Sequence, residues 1–271
     1  MCNLLCCGIT TITERELLCK VYLHNAPHDF VGDPSPYAFD DWRLKSCFSR
    51  LALLITSPHY SYWSIRGFII SAGGLTESTR RNSAEAVFIV LAQHDSVQFM
   101  EAFLHNITTI IAESGNDRRV AVPLLCFLDQ LFDAQLLTNF EIDIDLSPSL
   151  QVIGNFLLKI AKHDTDCRSA RLAVDVLCHF IHFDKASVIW RKTVSAIIDT
   201  LHCRYPLLRS NAAEKLYQSL ATEGVLEDEA EGYEELLDLL ANVNWQAEEK
   251  DDILLKAAKD VARFLNVSEI E

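Results

Sequence analysis

The sequence predicts an all-α fold, and three observations carry that prediction. Apolar residues recur with a period near 3.6 along almost the whole chain, Gly and Pro together number only 16 of 271 residues, and the strand period of two is clean only once, at Phe140-Glu141-Ile142-Asp143-Ile144-Asp145-Leu146. That single alternation lies between two helical stretches without an obvious partner strand. It reads as an extended linker.

The elements follow in order. Residues 1–41 contain Asp33-Pro34-Ser35-Pro36 and read as an irregular lead-in with one weak helix near 12–24. Helices are then predicted at 42–56, 60–73, 77–93, 96–113, 117–137, 148–163, 167–182, 185–203, 207–222, 230–244 and 248–266, with a tail at 268–271. The stripe Val97, Met100, Leu104, Ile107 and Ile111 marks one of them, and Leu150, Ile153, Leu157 and Ile160 another. Ile253, Leu254, Ala257, Val261, Phe264 and Leu265 mark the last. Thr76, Asp117 and Asp166 head helices as N-caps, and Ser147-Pro148 pairs a Ser cap with Pro at the first helical position. Ser71-Ala72-Gly73-Gly74-Leu75 reads as a tight turn between helices, with Gly73 or Gly74 at positive φ.

Self-similarity makes the fold more specific. Four helices open with arginine followed by small or apolar residues: Arg80-Arg81-Asn82-Ser83-Ala84, Arg118-Arg119-Val120-Ala121, Arg168-Ser169-Ala170 and Arg209-Ser210-Asn211-Ala212. Arg81, Arg119, Arg168 and Arg209 are separated by 38, 49 and 41 residues, and the long step contains the linker at 138–146. A repeat of about 40–47 residues built from two antiparallel helices is the mark of a HEAT/armadillo-like α-solenoid, here of about five helix pairs over 42–267. One helix pair cannot bury its own apolar face, and stacking neighbours makes the core continuous. The arginines then form a ladder along an inner edge, with Arg80, Arg81, Arg118, Arg119, Arg168 and Arg209 as candidate partner-binding residues. The helix at 42–56 has no partner helix and is too apolar for a polar cap, so the array is expected to continue upstream and the chain to be the end of something longer.

Composition narrows the function. Lys plus Arg number 24 against 38 Asp plus Glu, a net charge of −14, and 49% of the residues are hydrophobic. Global disorder is excluded by that apolar content, and a nucleic-acid partner by the charge. The acidity is local: residues 223–271 carry −11, much of it in Glu227-Asp228-Glu229-Ala230-Glu231 and Glu248-Glu249-Lys250-Asp251-Asp252, leaving −3 for the rest. Acids at helix N-termini suit the macrodipole, and an acidic surface for a basic partner is the alternative. No apolar run approaches the ~18–20 residues of a membrane span, and Met1-Cys2-Asn3-Leu4 lacks a basic secretory n-region. Cys at position 2 excludes myristoylation and leaves palmitoylation of Cys2, Cys6 or Cys7 open. Nine cysteines, an odd number in 271 residues, suit reduced thiols in the cytoplasm.

Catalytic chemistry finds little support. Cys178 and His182 stand at i, i+4 beside His179, with His202-Cys203 later, but no second pair completes a zinc site; the expected reading is buried structural side chains. No G-x-S-x-G, H-E-x-x-H or phosphate loop occurs, and no strand precedes the glycines at 73–74, so no catalytic residue, metal or cofactor is expected.

Pro58-His59-Tyr60-Ser61-Tyr62 and the run Gly73-Gly74-Leu75-Thr76-Glu77-Ser78-Thr79 resemble the C-terminal region of the tubulin-folding cofactor D family, the tubulin-specific chaperones D. Asn116-Asp117-Arg118-Arg119-Val120-Ala121-Val122-Pro123, Tyr205-Pro206-Leu207-Leu208-Arg209 and Trp245 agree with it. The resemblance covers about 42–267, leaves out 1–41, and concerns only the last part of a protein several times longer. It implies a non-enzymatic HEAT-type scaffold of tubulin folding that captures β-tubulin, joins cofactors C and E around the heterodimer and supports GTP hydrolysis by tubulin. A small Arf-like GTPase is a further implied partner. The alternatives are another HEAT-type adaptor or trafficking scaffold, and a thiol- or metal-dependent hydrolase using Cys178, His179 or His182.

Overall fold

The computed structural model describes residues 48–74, 76–94, 96–137, 147–162, 166–221, 232–247 and 252–266. Among them the secondary structure is helical throughout, and the helices pack on one another as in an α-solenoid. The expected linker at 138–146, the lead-in at 1–41 and the acidic stretches at 227–231 and 248–251 lie outside the described residues. The chain divides into two compact units, Met1–Glu141 and Ile142–Glu271.

In the first unit a helical stretch at 48–52 runs into a 3-10 turn, Leu53–Thr56, followed by α1 (Ser61–Ala72), α2 (Glu77–Gln93), α3 (Val97–Ser114) and α4 (Arg118–Asp133). The caps expected from sequence are formed: the Thr76 hydroxyl accepts from Thr79 N–H at 3.3 Å, and the Asp117 carboxylate from Arg119 N–H at 2.9 Å. Each satisfies a donor that the first helical turn leaves orphaned. Helix α1 is the centre of the unit. It packs against α2, α3, α4 and the preceding 3-10 turn, with Ile65, Phe68, Ile69 and Ala72 all buried. The apolar stretch that lacked an assigned partner therefore has one, since Phe48, Leu51, Ala52 and Ile55 are buried and the Phe48 ring lies 6.0 Å from that of Phe68. In α3 the stripe shifts slightly from expectation. Met100, Leu104 and Ile107 are buried with Phe103 and Ile110, whereas Val97 is 47% exposed.

The turn between α1 and α2 corrects one expectation. Gly73 has φ −89°, and the only glycine with positive φ among the described residues is Gly232. Glycine is needed at 73 for a different reason: a Cβ there would lie 2.5 Å from ring carbons of Pro123 and 2.8 Å from its Cα. Neither the ring nor the backbone can rotate away. Gly73→Ala is therefore expected to cost about 1–3 kcal/mol by overpacking. At Gly154 the added Cβ would meet side-chain atoms alone, Ile189 Cδ1 at 2.7 Å and Cγ1 at 2.9 Å with Phe180 Cε1 at 3.4 Å, so a shift of Ile189 can relieve part of the clash and the better helix propensity of alanine offsets about 1 kcal/mol. Urea denaturation of the two variants should show a clear loss for the first and a smaller one for the second. Equal losses would remove the Pro123 contact as the cause.

The second unit contains α5 (Pro148–Ala161), α6 (Cys167–His179), α7 (Val188–Leu201), α8 (Pro206–Leu220), α9 (Tyr233–Asn242) and α10 (Asp252–Phe264), with a 3-10 turn Phe180–His182 after α6. Ser147, Asp166 and Ser187 cap their helices through N–H groups two or three residues on. Helices α5 and α7 form one layer and α6 and α8 the other, joined as the pairs α5/α6 and α7/α8. The last pair is crossed: α9 lies on α8 and α10 on α7, so its first helix joins the layer of second helices. One polar contact lies within a layer and another spans the two. Asn211 donates to the buried Asp175 carboxylate at 2.5 Å between α6 and α8, and the Trp190 indole donates to the Ile181 carbonyl at 3.2 Å. In α10 the buried stripe is Leu254, Ala257 and Val261, continued by Leu265 just past its end, while Ile253 is 63% exposed and falls outside it.

Candidate partner-binding surfaces

The six arginines read as a ladder do not share one situation. In the first unit Arg80 is half-buried and held by Glu77 one turn earlier, at 2.6 Å, while Arg81, Arg118 and Arg119 are exposed near the starts of α2 and α4. In the second unit Arg168 is exposed at the second position of α6.

Arg209 departs from the ladder altogether. It is 1% exposed, and its guanidinium donates to the carbonyls of Trp245 at 2.9 Å and Cys203 at 2.6 Å, and to that of Ala247. It is a clamp between the start of α8 and the turn after α9. The register explains the difference. Arg168 is the second residue of its helix and Arg209 the fourth of its own, so at 3.6 residues per turn the two point about 200° apart around their helices. Matching short sequence strings aligned the two helices without aligning their faces.

A surface that sequence reasoning did not single out lies between α5 and α7. It is an open groove of about 1140 Å³, with Lys159 and Lys162 on one wall, Arg191 and Lys192 on the other, and Arg204 at the end. Asp199 is the one acid among its lining residues. The α5 wall is one helix face, since Asn155, Leu158 and Lys159 are spaced i, i+3, i+4, and Lys162 follows at the C-cap of the helix. At the floor the Cys203 thiol is pushed up by burial, which suits a structural thiol rather than a nucleophile. The His202 ring meets the Ile198 carbonyl at 3.0 Å, and the Arg204 guanidinium lies 4.7 Å over the Tyr205 ring. The signal was present in the sequence: residues 147–221 hold 10 Lys plus Arg against 6 acids, +4 inside a chain of −14. It was hidden because the charge was averaged over everything before residue 223.

The residues considered for hydrolase chemistry differ in exposure. Cys178 is 1% exposed in the core, whereas His182 is exposed on the 3-10 turn beyond the end of α6. Among the described residues no group of three or more His, Cys, Asp or Glu gathers as a metal site, and no helix is long and apolar enough to cross a membrane.

A family model described as "Tubulin folding cofactor D C terminal" matches residues 6–171, more than half of the chain. The match takes in most of the lead-in that the residue-level resemblance left out. It ends within α6, upstream of the groove's α7 wall and of Arg209.

Proposed function

Because the chain belongs to the tubulin folding cofactor D C-terminal family, we propose that it acts as a non-enzymatic tubulin-folding cofactor that binds β-tubulin. In this reading it works with cofactors C and E in assembling and disassembling the αβ heterodimer, and supports GTP hydrolysis in tubulin's own site. A small Arf-like GTPase is a further partner, and the setting is the cytoplasm, in association with microtubules. The family match carries the reading. The stacked helices support it, because helix pairs offer broad, rigid surfaces suited to a folded protein partner. The exposed Arg81, Arg118, Arg119 and Arg168 are the side chains assigned to acidic tubulin surfaces, and Arg209 is not among them.

Pull-down with purified tubulin tests this. Arg119→Glu/Arg168→Glu is expected to weaken capture by about tenfold or more, since reversing an interfacial charge replaces attraction by repulsion. Equal capture by both proteins would remove the arginines from the interface. Tubulin missing from the wild-type pull-down would favour an adaptor without a tubulin role. In the companion measurement the chain alone should hydrolyse no GTP, and should raise turnover only when tubulin and the other cofactors are present.

A further inference from the structure

We propose that the groove between α5 and α7 is a docking site for an acidic peptide segment of a partner protein. The inference concerns a different surface from the arginines assigned to tubulin and stands independently of that reading.

Charge is the first argument. The groove gathers Lys159 and Lys162 from the end of α5, Arg191 and Lys192 from the start of α7, and Arg204 beyond α7, with Asp199 as the one acid among its lining residues. Like charges gathered along two facing walls repel one another, and a bound anion relieves that repulsion. Neither Lys162 nor Lys192 has an ion-pair partner among the described residues, and both are exposed. The chain as a whole is acidic, so this cationic strip would steer an anionic segment to one place on it.

Size and lining select a peptide. The volume of 1140 Å³ exceeds the roughly 300–1,000 Å³ typical of small-molecule pockets. The lining residues of α7 run from Arg191 to Asp199, and at about 1.5 Å per residue this wall is about 12 Å long and faces about four residues of an extended strand. Leu158, Ala161 and Ala196 form apolar floor that can accept side-chain methylenes, while the rim cations meet carboxylates. No Phe, Tyr or Trp lines the groove and the His202 imidazole is its one ring, so it lacks the row of broad aromatic faces on which successive unpaired bases stack. That favours carboxylates on a peptide over phosphates on a nucleic acid.

The test is fluorescence anisotropy of the full chain with a fluorescein-labelled hexaglutamate peptide. Binding is expected at low salt and should weaken as salt is raised toward about 150 mM, where the Debye length falls to about 8 Å. Lys162→Glu/Lys192→Glu should weaken it about tenfold or more, and Lys162→Gln/Lys192→Gln by less, with unchanged circular dichroism showing that both fold. Lys256→Glu/Lys259→Glu makes the same change in net charge on exposed positions of α10 and should leave binding within about twofold. No binding by wild type, or equal weakening by the α10 variant, would overturn the proposal. So would tighter binding of a single-stranded RNA of similar length. Neutralising Glu227, Asp228, Glu229 and Glu231 should change nothing; a marked gain in affinity would make the chain's own acidic stretch the occupant and overturn docking of a partner.

Discussion

Arg209→Ala is expected to destabilise the second unit by about 3–5 kcal/mol, because it leaves several carbonyls without their donor and vacates a large buried volume. The substitution strips the carbonyls of Cys203, Trp245 and Ala247 of a shared donor in a site where the arginine is 1% exposed. Each buried carbonyl left without a partner costs about 1–3 kcal/mol, and the vacated volume adds a packing loss. Lysine should not rescue it. One ammonium at the end of a flexible stem cannot reproduce a planar fork that reaches three acceptors in fixed directions. The measurement is thermal or urea unfolding, in which Arg209→Ala should lower the midpoint by roughly 10 °C and Arg209→Lys by a substantial part of that. A midpoint unchanged from wild type would mean that the three carbonyls find other donors and that Arg209 is not a clamp. The outcome also separates two roles for the residue, since an arginine that only meets a partner would leave stability untouched.

What was legible in the sequence was whatever depends on neighbours along the chain. Helices, their caps and their buried stripes follow from local spacing, and Thr76, Asp117, Ser147 and Asp166 cap where expected. Leu150, Ile153, Leu157 and Ile160 are buried as one stripe for the same reason. The features that escaped depend on what lies opposite. Gly73 is fixed by Pro123, fifty residues away, and no local turn rule contains that contact. Arg209 is fixed by carbonyls beyond α9, so the string that it shares with Arg168 said nothing about burial. The crossed packing of α9 and α10 is likewise a choice between layers, which helical periodicity does not encode. The groove needed two helix faces to be brought together before five scattered cations became one surface. Local order was therefore readable, while register and juxtaposition required the fold.

In the first unit the largest loss is expected at Phe127. The ring is fully buried in α4 and lies 5.8 Å from Phe88 of α2 and 6.4 Å from Phe103 of α3, at interplanar angles of 46° and 48°. Both tilted pairs fall within the roughly 4.5–7 Å range of interacting rings, each adding about 0.5–1.5 kcal/mol beyond the area that it buries. Removing the ring should therefore cost about 3–5 kcal/mol, the range for Phe→Ala in a packed core. The position decides why collapse cannot soften the loss. Helix α4 is pinned against α1 at its other contacts, where Pro123 already meets Gly73 too closely for one added carbon. With α4 unable to shift toward α2 and α3, the cavity stays open, and residual cavity volume sets the size of such losses. Phe127→Leu keeps much of the volume and should lose less than half as much. The pairing gives a sharper test than either variant alone. If α4 is held by Pro123, Phe127→Ala should leave a cavity that takes up xenon or benzene and is stabilised by it. A small loss together with no such ligand stabilisation would mean that α4 does relax into the gap, and that the contact at Gly73 does not fix the helix.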